Sequence, residues 1–313
     1  MNPLTVEYIN LARERIAAHV HKTPLLTSSS IDSGLDGEVF FKCENFQKVG
    51  AFKARGACNA LLSRQIEEIA RGVVTHSSGN AAQGLAYAAQ VCGVPAYIVM
   101  PKTTTAVKVE ATKGYGASVT FCEPTLASRE EVSRQLQLET GAVFVHPYND
   151  YDVMAGQGTV ALEILEQVDG LDAVLCPIGG GGLISGISTV IKSLSPNTEV
   201  IGVEPEGAAE ALLSLQRGEI TAVEGPKSIA EGLLSTVGTR CFPVIQQNVD
   251  RIVTVSDGEI RGAMRTLFER MKLVVEASGA ATFAALEAQK VSLKGKRVAV
   301  VLSGGNTNFL GGE

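Results

Sequence analysis

Paired cysteines, clustered histidines, basic stripes and long apolar runs are all missing from this sequence, and each absence removes a class of protein. The six cysteines, Cys43, Cys58, Cys92, Cys122, Cys176 and Cys241, stand singly with no C-x-x-C pair. That spacing offers neither a zinc framework nor a disulfide framework, and reads as small buried side chains in a reducing compartment. The four histidines are dispersed. His19 and His21 fall two apart in what reads as a helix, so they point to different sides and make no metal pair. Lys and Arg number 27 against 33 Asp and Glu, the net charge is −6 and the pI is about 5.4. No basic stripe is interleaved with aromatics, so nucleic acid is not expected as a partner. The apolar runs are too short to cross a bilayer, and no secretory leader follows Met1. The expectation is a soluble, cytoplasmic protein. Internal repeats, low-complexity segments and heptads are absent.

What is present is enough chain, 313 residues with 45% hydrophobic, for two domains or one large α/β unit. Residues 5–20 and 53–65 read as helices, and "EVFFKCE" (38–44) reads as a strand. Then strands and helices alternate: strands at 72–78, 95–100, 117–122 and 142–147, helices at 80–93, 105–116 and 128–141. After "YNDYD" come a helix (153–168), a strand (173–178), a helix (183–194) and a strand (199–205). A less regular stretch, 206–250, precedes the strand "RIVTVSD", helices at 257–271 and 277–290, and a last strand, 297–305. Strands alternating with helices imply parallel pairing, because each crossover traverses a face of the sheet. The fold class is α/β: two open twisted sheets of parallel type with helices on both faces. The expected division is a large domain of residues 1–62 and 151–313 and a small domain of residues 63–150.

Ligands of such sheets sit at the carboxyl ends of the strands. Two features at those ends carry chemistry. "PIGGGGLISG" follows a strand and opens a helix, so successive backbone N–H groups and the helix N-terminus converge on an anion. It is not a P-loop, for no GK[ST] follows. It is not a dinucleotide fingerprint either, since G-x-G-x-x-G fails at Ile184 or Ser185. The second feature is Lys53, in "VGAFKARGACNAL", with Phe52 before it and no carboxylate within four positions. A lysine among apolar atoms loses hydration, its pKa falls, and the neutral amine becomes a nucleophile toward aldehydes. A phosphate cradle together with a Schiff-base lysine points to pyridoxal phosphate. Ser303, at the end of the last strand, offers a hydroxyl to the pyridine nitrogen. A hydroxyl does not force that nitrogen to be protonated, which suits β-elimination or racemisation better than transamination.

These residues bring out a resemblance that runs nearly end to end. The segments "KCENFQKVGAFKARGACNAL", "THSSGN", "AYIVMPK", "CEPTLASREE", "AGQGTVALEILEQV", "PIGGGGLISGI", "AEGL", "ERMKLVVEASGA" and "LSGGN" resemble the fold-type II pyridoxal-phosphate enzymes of the serine racemase and serine/threonine dehydratase group.

The resemblance implies that Lys53 carries the cofactor with Phe52 beside its ring. Asn80 would bond the phenolic oxygen, Gly179, Gly180, Gly181 and Gly182 the phosphate, and Ser303 the ring nitrogen. Ser77, Asn80 and Arg129 would reach the substrate, a small hydroxy amino acid. The Lys53 amine would take the Cα proton from one face. Ser78, where threonine dehydratases often have alanine, would return one on the other face, as the racemases do. Elimination of the β-hydroxyl to pyruvate and ammonia is the competing outcome. A threonine or 3-hydroxyaspartate dehydratase is the alternative activity, and a non-catalytic amino-acid sensor is the alternative outside catalysis. The family's usual "SSGNH" departs here to Ala81; a histidine there would help hold the substrate carboxylate. Glu204, the Ala208 carbonyl and Glu210 match a site for Mg²⁺ or Ca²⁺. Ser28, Ser29, Ser30, Lys48, Gln83, Tyr115, Lys272 and Asn306 match an ATP effector site between subunits, although Val49 replaces a hydroxyl residue common there. A homodimer is the family expectation, without an isoleucine-sensing regulatory domain.

Overall fold

The structure, a computed structural model, describes residues 4–307. Among these residues ten strands form two sheets: β1 Leu25–Leu26, β2 Glu38–Cys43, β3 Val73–His76, β4 Ala96–Pro101, β5 Ser118–Cys122, β6 Val143–Phe144, β7 Ala173–Pro177, β8 Glu199–Pro205, β9 Arg251–Val255 and β10 Arg297–Leu302. The larger sheet has the order β1-β2-β10-β7-β8-β9 and the smaller one β5-β4-β3-β6. Every pairing is parallel except β1 with β2.

The runs of valine, isoleucine and leucine explain the larger sheet. A parallel sheet is covered on both faces, so its strands are apolar throughout rather than alternating with polar residues. Strand β10 illustrates this. Ala299 and Val301 enter one core with Ile164 and Ile187, while Val298 and Val300 enter the opposite core with Phe283 and Ile260. The smaller sheet has its own core, around Val73, Ile98, Met100 and Leu85.

The helix Lys53–Leu62 sits where the two sheets meet. Small residues let its neighbours approach closely: a Cβ at Gly84 would lie 3.1 Å from the Lys53 carbonyl, and one at Gly156 would run into the Arg55 carbonyl. Arg55, fully buried, locks this junction through Glu44 and Glu163, and Lys42 completes the cluster on Glu163.

Several expected boundaries move. The first helix, Val6–Ile16, ends early, so His19 and His21 lie beyond it; His21 pairs its Nδ1 with the Phe46 carbonyl at 3.0 Å. The stretch expected to be irregular holds the helices Glu210–Arg217 and Cys241–Asn248. The strand expected at 142–147 shortens to Val143–Phe144, an edge strand paired only with β3. The chain then leaves the sheet and carries His146, Pro147 and Tyr148 toward the junction. All six cysteines are free. No helix among the described residues is long and apolar enough to cross a membrane.

Candidate active site

Lys53 is the first residue of its helix and is half-buried. Its Nζ donates to the Pro147 carbonyl at 3.3 Å and lies 4.9 Å from the centre of the Phe52 ring. Burial pulls the amine down to about 8, because the ammonium form loses its hydration; Cys241 and Glu276 oppose that shift. An amine in this range is still mostly protonated near physiological pH but keeps a neutral fraction of about a fifth at pH 7.4, far more than an ordinary lysine, and the neutral form is the state nucleophilic chemistry requires. The Phe52 backbone N–H donates to the Ser303 carbonyl at 3.1 Å, and Ala51 bridges Gly304. The end of β10 therefore anchors the approach to Lys53, and Ser303 is buried beside it.

The glycine run lies at the carboxyl end of β7 and opens the helix Gly182–Leu194. Gly181 takes φ +93°, a left-handed value that a side chain rarely adopts. A Cβ at Gly180 would collide with the Tyr148 ring. The Tyr148 hydroxyl donates to the Thr236 carbonyl at 3.1 Å, and Gly238 N–H donates to the Gly180 carbonyl at 3.0 Å. The run is thus a bare-backbone surface at a helix N-terminus, hemmed in by Tyr148 and the 236–240 segment. That is the arrangement that binds phosphate, so the residues present fit a phosphorylated cofactor.

Asn80 opens the helix Asn80–Cys92 and meets a partner the sequence reading did not single out. Its Nδ2 donates to Glu276 Oε1 at 2.7 Å, while Asn306 Nδ2 donates to Asn80 Oδ1 at 2.8 Å and to the Val49 carbonyl at 2.7 Å. Burial raises Glu276 to about 7. Its backbone N–H bonds the Gly304 carbonyl, so this carboxyl stands beside Ser303. Val49, buried and β-branched, sits at φ 57°. That strained conformation is overruled by the Asn306 bond to its carbonyl and by Gly305 N–H bonding the Gly50 carbonyl.

Ser77 follows β3. Its N–H donates to the Val99 carbonyl, and its Oγ accepts from Gly79 N–H at 3.3 Å. Ser78 is half-buried next to it. Arg129 lies in the helix Leu126–Thr140, and burial first, then the Arg129 charge, disfavours protonation of His76. Its Nε is buried with no hydrogen-bond partner among the described residues. His146, expected by no motif, accepts from the backbone N–H groups of Tyr148 and Asn149 on Nδ1. Burial first, then the charges of His76 and Lys53, take it down to about 4, so it is neutral.

Glu204 and Glu210 lie apart from this cluster. Both are buried, as is Ala208. Glu204 accepts from Ala211 and Leu212 N–H at 2.8 and 2.9 Å, yet burial still raises it to about 8. Glu210 begins a helix rather than lying in a loop, and its Oε2 has no partner among the described residues. The expected ATP residues are spread over several elements. Ser28 and Ser30 share a contact at 3.2 Å where the helix Ser29–Leu35 starts. Lys48 lies in the strained turn, Gln83 is buried, and the Tyr115 ring meets Tyr87 edge-on. Lys272 is left-handed at φ 60° and bonds the Glu269 carbonyl. Asn306 belongs to the Asn80 network.

Comparison with known proteins agrees with this geometry. The family described as "Pyridoxal-phosphate dependent enzyme" matches residues 16–304. The serine racemase of Dictyostelium discoideum is 46% identical, over 99% of this chain and 97% of that protein. The beta-hydroxyaspartate dehydratase of Paracoccus denitrificans is 45% identical, over 97% of each. Maize serine racemase superposes with a TM-score of 0.95 at 42% identity, covering 97% of this chain and 94% of that one. With a family match over residues 16–304 and relatives 45–46% identical along nearly the whole chain, this chain belongs to the pyridoxal-phosphate dependent enzymes.

Proposed function

We propose that this chain interconverts L- and D-serine and also eliminates water from serine to give pyruvate and ammonia. The carrying observation is Lys53, a half-buried amine lowered to about 8 at the junction of the two sheets. Pyridoxal phosphate, when bound, would supply a reactive aldehyde and an electron sink that acidifies the substrate Cα–H. The chain does the rest. Backbone N–H groups of Gly179–Gly182 and the following helix N-terminus hold the phosphate. The Ser303 hydroxyl would be the partner of the ring nitrogen, Asn80 that of the ring oxygen, and Phe52 would pack beside the ring. The Lys53 amine takes up the Cα proton on one face. The Ser78 hydroxyl delivers a proton to the other face, which inverts the centre. Ser77 and Arg129 orient the substrate.

A second reading is a 3-hydroxyaspartate dehydratase. The buried Arg129 Nε without a partner favours it, since a side-chain carboxylate would satisfy that donor, and so does the Paracoccus relative. Chiral chromatography and keto-acid measurement on serine and on 3-hydroxyaspartate separate the readings. D-serine formation supports the first; keto acid from hydroxyaspartate with no D-serine supports the second.

Four further proposals accompany this reading. Glu204, the Ala208 carbonyl and Glu210 hold Mg²⁺ or Ca²⁺, supported by two buried carboxyls and the open Glu210 oxygen. ATP acts as an effector, supported only by the resemblance at Ser28, Ser29, Ser30, Lys48, Gln83, Tyr115, Lys272 and Asn306. The protein is a cytoplasmic homodimer, supported by the resemblance and by six free cysteines. Residues 63–150 form the small domain, with 1–62 and 151–313 as the large one.

A further inference from the structure

Behind Lys53, on the side of the helix Tyr151–Gln167, lies a cavity of about 20 Å³. Lys53, Thr75, Ala81, His146 and Gln157 line it. Thr75 and Gln157 are each only 1% exposed. Thr75 Oγ1, Gln157 Nε2 and Gln157 Oε1 have no hydrogen-bond partner among the described residues. Leaving a buried polar group unpaired costs about 1–3 kcal/mol, and three such atoms around one cavity call for an occupant. The volume matches one water, which needs roughly 10–15 Å³ and two to four polar partners. The sequence makes room for this arrangement twice. Gly56 lets the Gln157 amide press against the helix Lys53–Leu62, where a Cβ would run into it. Ala81, which stands where the resembling enzymes carry a histidine, leaves the cavity open.

We propose that this cavity is a binding site for a single water molecule, held by Gln157 and Thr75, that solvates the Lys53 amine whenever the amine is free. Gln157 is thereby a positioning residue for the catalytic lysine. The water accepts a hydrogen bond from the Lys53 ammonium and donates to Gln157 Oε1. It favours the protonated amine and keeps it turned toward the interior between catalytic events. The other titratable groups facing Lys53 are Cys241, at the start of the helix Cys241–Asn248, Glu276, just before the helix Ala277–Glu287, and His146, which is neutral. None of them supplies this contact. The inference rests on the assignment of Lys53 as the catalytic amine.

Two measurements on the holoenzyme test it. A crystal structure at a resolution that places waters should contain one within hydrogen-bond distance of Gln157 in this cavity. A dry cavity, or Gln157 turned away to another partner, overturns the proposal. The kcat–pH profile of Gln157→Leu, and independently of Ala81→Val, should have its acid limb moved down by about one pH unit. That is about a tenfold change in the amine-to-ammonium ratio, because the ammonium has lost a hydrogen bond. A fall in kcat with an unmoved limb in both variants overturns the positioning role. If one variant fails to fold, the other and the density still decide. Failure of the catalytic reading itself would register separately, as absence of a cofactor linkage on Lys53 in the same crystals.

Discussion

Replacing Arg55 by methionine should unlock the junction that presents Lys53. The guanidinium donates to Glu44 through Nε and Nη2 at 2.8 Å each, and to Glu163 through Nη1 and Nη2 at 2.6 and 2.9 Å. Further bonds reach Thr159, Thr23 and the His21 carbonyl. Arg55 and Glu44 are 0% exposed, so no water replaces these bonds. Removing one partner of a buried pair costs about 3–5 kcal/mol. Glu163 keeps Lys42 at 2.6 Å, but Glu44 keeps only the Thr23 hydroxyl. We therefore expect about 4 kcal/mol of destabilisation, most of it from Glu44, and a Tm lowered by about 6 °C. Thermal and urea melts monitored by circular dichroism measure this. The double variant Arg55→Met with Glu44→Gln should recover part of the loss, since a neutral amide is cheaper to bury than an unpaired carboxylate. Arg55 and Lys42 hold Glu163 below the usual carboxylate range. Its contribution is therefore present above that range and fades as pH falls through the depressed value, so the gap between wild type and variant should narrow in acid. A single-variant loss under about 1 kcal/mol, or a double variant less stable than the single one, would refute this reasoning.

Ser78→Ala should abolish D-serine formation while elimination persists, read by chiral chromatography; equal loss of both activities would refute a face-specific role. For Lys53, burial lowers an amine whose reactive form is neutral, so kcat should rise with pH through an acid limb near 8; a flat profile from pH 6 to 10 would contradict this (about two units on either side). If Glu204 and Glu210 hold a cation, a chelator should lower the Tm and excess Ca²⁺ or Mg²⁺ restore it. Saturation at about 100 Kd is worth about 2.7 kcal/mol, and Glu210→Gln should remove most of that response.

Five of the six strands of the larger sheet were legible because they are short apolar runs, mostly β-branched and aliphatic, and both faces of a parallel sheet demand such runs; β1, two residues long and antiparallel, gave no such run. The glycine run and Ser303 stood out because each sits at a strand's carboxyl end with a residue type that limits its chemistry; Lys53 stood out for its uncharged neighbourhood, and it opens a helix ten residues after β2 rather than ending a strand. Glu276 was not legible: a glutamate ahead of "ASGA" reads as a solvated helix start, and only the pairing of β10 brings it to Asn80 and Gly304. Val49 gave no local signal either, since tertiary bonds from Asn306 and Gly305 force a conformation its own side chain disfavours. Gln157 lies mid-helix in "AGQGTVAL", and its exposure to a cavity rather than to solvent depends on Gly56 and Ala81, each distant in sequence. Ser29–Leu35 and Glu210–Arg217 escaped because they are short and flanked by turn-forming residues, so helical periodicity had too few turns to register.

Which side chain bears the cofactor decides every assignment at the site. Borohydride reduction of the purified holoenzyme, proteolysis and peptide mass spectrometry should place a single phosphopyridoxyl group on Lys53, with the yellow absorbance lost in step. An adduct on another lysine, or a colourless protein that yields none, would contradict it.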